Sequence, residues 1–119
     1  MNWLEIDKKH VWHPYNSLPS KTKLLSVKRT DKTFIFLSDD TKLIDGMSSW
    51  WSAIHGYNHP KLNAALKKQV DIMPHVMFGG IAHENAAVLS KQLVDLTGLN
   101  SVFLCDSGSV SVEVALKTA

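Results

Sequence analysis

Cysteine is nearly absent from this chain: Cys105 is the only one among 119 residues. No intrachain disulfide can form, so the stapled scaffolds of small secreted domains are excluded and a reducing compartment is expected. Long apolar runs are missing too, so no segment has the roughly 20 apolar residues that a membrane-spanning helix needs. The opening residues MNWLEIDKKH carry Glu5 and Asp7 where a secretory signal would be apolar. Charge of one sign is not concentrated: 13 Lys and Arg stand against 11 Asp and Glu, interspersed, for a net charge of +2. A dedicated nucleic-acid or membrane-surface binder would show a clustered basic face instead. The histidines lack a metal-binding frame. His10 and His13 are three apart and His55 and His59 four apart, but Gly56 and Pro60 interrupt the helix that the second spacing requires. With no HExxH and no cysteine cluster, no metal is expected. His75 and His83 read as hydrogen-bonded loop residues. GK[ST] and GxSxG are also missing, which excludes a P-loop and a hydrolase elbow. Cys105 lies in an apolar run, where a thiol is inert.

What is present suits a soluble globular domain, or part of one, with 45% hydrophobic residues. A short helix is predicted over residues 2–10. Pro14 and Pro19 then keep Trp12 to Ser20 extended as an arm. Leu25 to Lys28 alternates, Thr33 to Leu37 is a β-branched and aromatic run, and Lys42 to Ile44 follows an Asp39-Asp40 turn; an antiparallel meander is predicted. Pro60 opens a helix that Asn58 or His59 can cap, with Leu62, Ala65, Leu66, Val70 and Met73 on one face. It should end near Met73, because Pro74 restricts the residue before it. A second irregular loop, His75 to Gly80, precedes a helix over residues 83–97 with Ala86, Leu89, Leu93 and Leu96 as its stripe and Gly98 as its cap. Val102 to Cys105 reads as a strand buried on both faces, as in a parallel sheet. The last helix, from about Val110, shows no stop signal through Lys117, Thr118 and Ala119, so a fragment is expected.

Two stretches can carry chemistry. Asp45 to Pro60, DGMSSWWSAIHGYNHP, has neither helical nor strand periodicity and is punctuated by Gly46, Gly56 and Pro60. Its tryptophans, Trp50 and Trp51, can either fill core or wall a pocket, since large aromatics on irregular backbone serve both ends. Asp106-Ser107-Gly108-Ser109 turns the chain into the last helix. It is either an ordinary capped turn or an anion site, where free backbone N–H groups and the helix dipole favour a phosphate.

DGMSSWWSAIHGYNHP resembles the signature of the adenosylmethionine-8-amino-7-oxononanoate aminotransferase family, a branch of the class-III pyridoxal-phosphate aminotransferases. WHPY at Trp12 to Tyr15, HVMFGG at His75 to Gly80 and VFLCDSGSVSVEVALK at Val102 to Lys117 resemble the same family in the same order. The resemblance implies an α/β fold: the N-terminal portion of a fold-type-I transferase, with residues 1–57 as arm and meander and residues 58–119 opening the large, cofactor-binding domain. It implies pyridoxal 5'-phosphate as cofactor, its phosphate held at Gly108 and Ser109. It implies S-adenosylmethionine and 8-amino-7-oxononanoate as substrates, met by Trp50 and Tyr15, with Trp51 left to packing. A cytoplasmic homodimer making 7,8-diaminononanoate for biotin is implied in turn. In that family the lysine that carries the cofactor covalently lies beyond the position of residue 119, so no catalytic residue is assigned here and this chain alone is expected to be inactive. Two other readings stay open: a class-III aminotransferase acting on a different amine, against which WHPY and SSWW argue, and a non-catalytic remnant.

Overall fold

The computed structural model describes residues 2–119. It resolves into two compact units, residues 1–74 and 75–119.

The first unit begins with α1, Trp3–His10. The side chain of Asn2 caps it by accepting from the Leu4 amide at 3.1 Å. Glu5 in the first turn and Lys8, Lys9 and His10 in the last complement the helix dipole. The arm doubles back on this helix through His13, whose Nε2 lies 2.7 Å from an Asp7 carboxylate oxygen. Trp12 anchors the arm's own bend by donating its indole N–H to the Asn16 carbonyl at 2.8 Å.

Three strands form the predicted meander in the order β1-β2-β3: β1 Val27–Asp31, β2 Phe34–Leu37 and β3 Lys42–Ile44. The first strand runs later than its alternation suggested. Pairing decides this: Asp31 faces Phe34 and Thr30 faces Ile35 across the first hairpin, which draws the strand on to Asp31. Lys32 turns that hairpin with φ 52°, and Asp40 the second with φ 65°. Phe34 and Phe36 share one face, as alternate strand residues do. There the Arg29 guanidinium lies 3.5 Å from the Phe36 ring centre and the Lys42 ammonium 3.6 Å from that of Phe34, so cations and their stems shield the aromatics. Leu37, on the other face, is buried.

Helix α2, Pro60–Ile72, has Pro60 in its first turn and ends where Met73, held extended before Pro74, breaks helical geometry. His59 is its capping residue without a side-chain cap bond.

In the second unit α3 spans Glu84–Thr97, capped by His83, whose Nδ1 accepts from the Ala86 amide at 3.4 Å. Gly98 closes it in the left-handed conformation at φ 72°. Helix α4, Gly108–Thr118, starts two residues ahead of the expected Val110 because Ser107 captures the Val110 amide and nucleates the first turn earlier. Val102 to Cys105, predicted as a strand, is irregular. The correction has a plain cause: a strand exists by its ladder, and the only sheet among the described residues is the meander of the first unit.

Among the described residues of the first unit, the strands of the meander pack closely on one another. Only Leu37 and Ala86 are buried hydrophobic residues among those described.

Candidate functional site

The loop between β3 and α2 carries the first site. Ser48, Ser49, Trp50 and Trp51 have φ values of 48°, 51°, 53° and 66°. They form one turn of left-handed helix, closed by the Trp51 amide on the Met47 carbonyl at 3.0 Å and the Ala53 amide on the Ser48 carbonyl at 2.9 Å. Left-handed geometry costs an L-residue about 1–2 kcal/mol, and four in succession persist only where neighbours impose them.

Asp45 is one such neighbour. Its carboxylate accepts from the Met47 amide at 3.0 Å, the Ser49 amide at 2.7 Å and the Tyr57 hydroxyl at 2.5 Å. The phenol bond, joined by the backbone amides and opposed by partial burial, holds the Asp45 carboxyl below the usual carboxylate range. The same carboxylate, as hydrogen-bond partner, pushes the Tyr57 phenol up. Tyr57 is pinned in turn. It exchanges backbone bonds with Lys32 at the β1–β2 hairpin, at 3.0 and 2.6 Å. Gly56 permits that approach: it sits at φ +75°, and a Cβ there would stand 2.9 Å from the Lys32 carbonyl oxygen.

This scaffold presents Trp50, 55% exposed, to Tyr15 of the arm, 97% exposed. The two rings meet edge to face with centres 5.7 Å apart and planes at 71°. Beside them an open cleft of about 300 Å³ is lined by Ile35, Asp45, Met47, Ser49, Trp50 and Tyr57. The structure thus brings together two residues placed 35 positions apart in sequence. Trp51, expected as packing, is 78% exposed. Asp45 and Tyr57 were not among the residues singled out; the available signal was the Asp-Gly pair, since an aspartate at the head of a turn commonly accepts from amides two or more residues on.

The second site is described within its own unit. At the N-terminus of α4 the Ser107 hydroxyl accepts from the Val110 amide at 3.3 Å, and the Ser107 carbonyl takes the Ser111 amide at 3.0 Å. The amides of Gly108 and Ser109 belong to the first turn, which has no intrahelical acceptors for them. A Cβ built on Gly108 meets nothing within 4 Å, so the space against the backbone is open. Exposed amides, a serine hydroxyl and the dipole make a donor set that fits a phosphate monoester. No group of three or more potential metal ligands exists among the described residues, and none of the helices is long and apolar enough to cross a membrane.

The family described as aminotransferase class-III matches residues 15–119. The adenosylmethionine-8-amino-7-oxononanoate aminotransferase of Buchnera aphidicola subsp. Baizongia pistaciae is 54% identical over 118 residues, covering 98% of this chain and 28% of that protein. The crystal structure of the enzyme of the same name from Methanocaldococcus jannaschii superposes with a TM-score of 0.88 at 31% identity, over 98% of this chain and 28% of the other. An amine transaminase from an uncultivated Pseudomonas species, in its PLP-bound form, superposes at 0.82 with 31% identity, over 92% of this chain and 26% of the other. The chain therefore spans just over a quarter of the length of the relatives it matches.

Proposed function

The chain belongs to the class-III aminotransferases, and from that premise we propose that the whole protein moves an amino group from S-adenosylmethionine to 8-amino-7-oxononanoate, giving 7,8-diaminononanoate for biotin, with pyridoxal 5'-phosphate as cofactor. The observation that carries this reading is the Trp50–Tyr15 pair on a strained loop beside an open cleft, in a chain 54% identical to a protein of that name. Trp50 and Tyr15 offer flat, electron-rich faces, suited to a purine ring and a sulfonium centre, both of which S-adenosylmethionine contains. Gly108 and Ser109 hold the phosphate through backbone amides and a hydroxyl. When bound, pyridoxal phosphate supplies the electron sink that lets an amino group leave one carbon and join another. No lysine of this chain is assigned as the covalent carrier. Residues 1–57 serve as arm and meander and residues 58–119 open the large domain, in a cytoplasmic homodimer.

The test is an amino-donor screen on the complete protein, with 8-amino-7-oxononanoate as acceptor and product identified by mass. S-adenosylmethionine should support turnover and simple primary amines should not. Turnover with a simple amine and none with S-adenosylmethionine would assign the protein to another class-III activity.

A further inference from the structure

The cleft wall rests on a backbone that L-residues avoid, and its own hydrogen bonds do not tie it to anything rigid. The bonds from Trp51 to Met47 and from Ala53 to Ser48 are internal to the turn, as is the Ser52 hydroxyl on the Ser49 carbonyl at 2.6 Å. Rigidity lies in the meander. It reaches the loop through the Asn58 side-chain amide, which donates to the Thr30 carbonyl, and through two residues that bear on the turn: the Asp45 amide donates to the Thr33 carbonyl at 2.9 Å, and Tyr57 exchanges both backbone bonds with Lys32. The side chains of these two loop residues meet each other, and both reach the turn: the Asp45 carboxylate accepts from the Met47 and Ser49 amides, and the Tyr57 phenol meets the Ser49 side chain.

We propose that Asp45 is a positioning residue for the substrate: through the left-handed turn it sets the Trp50 ring against Tyr15 and fixes the cleft wall, and Tyr57 locks its carboxylate in place. This inference rests on the proposed reading of Trp50 as a substrate wall. The chemistry demands a carboxylate. Three donors converge on two oxygens, and the two that share one oxygen are the Ser49 amide and the Tyr57 hydroxyl. Asp45→Asn preserves size but puts an NH₂ donor on one side, facing a donor whichever way the amide is turned. Tyr57→Phe removes one donor and leaves both amide bonds, so it should act in the same direction but less.

The experiment uses the complete holoenzyme and these two variants, with Trp50→Ala as the benchmark. It reads kcat and KM for both substrates, cofactor affinity by absorbance titration, and the near-ultraviolet circular dichroism of the Tyr15–Trp50 pair. Asp45→Asn should raise KM roughly tenfold, with kcat reduced much less and cofactor affinity unchanged, as expected when binding rather than chemistry is disturbed. Its dichroism should move toward that of Trp50→Ala, with Tyr57→Phe between it and the wild type. Unchanged KM and dichroism in Asp45→Asn would overturn the inference. So would joint loss of cofactor affinity and global fold in Asp45→Asn with Tyr57→Phe indistinguishable from wild type, which marks a general structural role. A wild-type protein inactive on both substrates would sink the functional reading, while the dichroism would still decide whether Asp45 sets the ring pair.

Discussion

In the proposed reading, Trp50 and Gly108 separate two tasks at the scale of single residues. Trp50 is half-exposed beside a cleft, whereas Gly108 opens a helix with empty space where a side chain would be. In the complete enzyme, Trp50→Ala should remove a flat contact surface worth about 1–3 kcal/mol of substrate binding while leaving cofactor affinity close to wild type. Gly108→Val should do the reverse, because branched bulk at the first turn blocks an anion from the amides. Cofactor titration and kcat/KM on both variants check the pair; cofactor loss in the tryptophan variant with retention in the glycine variant would reverse the assignment. Both assignments come from motifs visible in the sequence. The role of Asp45 was not legible there, since it lies in a contact with Tyr57 twelve residues away that only the folded loop creates. Nor was the left-handed turn: Ser and Trp have no preference for positive φ, so no local signal announces it.

Among the elements, helix ends were the most readable and the lone strand the least. Pro60 and Gly98 act within one turn of their own positions, so their chemistry is local and sequence reports it, whereas the caps Asn2 and His83 emerge only in the folded chain. Val102 to Cys105 depends on partners elsewhere, and its apolar run says nothing of whether they are present. The β3–α2 loop is an element of a third kind, held by titratable groups. Because Asp45 titrates below its ordinary value when folded, its stabilisation is complete above the ordinary carboxylate range and lost as pH falls through the lowered folded value. Tyr57 titrates above its ordinary value, so its share is complete below the phenol range and lost as pH rises through the raised folded value. The turn should therefore stay closed across the neutral range and open at both extremes. Amide exchange at Met47 and Ser49, corrected for intrinsic rates, should show protection falling at acid pH before that of β2. Protection that persists until the meander itself opens would contradict this.

For the molecule as a whole, uncovered surface is the dominant fact. Each unit carries uncovered apolar surface: Leu62, Leu66 and Val70 form a bare stripe on α2, and Leu89 and Leu96 lie open on α3. Produced alone, these 119 residues should associate, bind a hydrophobic dye and melt without a cooperative transition. A monodisperse monomer with a sharp melt would show that the helices find cover in some arrangement of their own.

The left-handed turn also sets an order of events on warming. Four residues stand in geometry that each disfavours by about 1–2 kcal/mol, held by hydrogen bonds and the edge-to-face contact of Trp50 with Tyr15, with no buried apolar side chain beneath among the described residues. Such a segment opens at lower free energy than the sheet it is tied to. Heat should therefore dismantle the proposed substrate wall while the rest of the complete protein is still folded, so that the proposed activity fades reversibly several degrees below the calorimetric midpoint and returns on cooling. Activity and heat capacity that change together would mean the turn melts only with the whole.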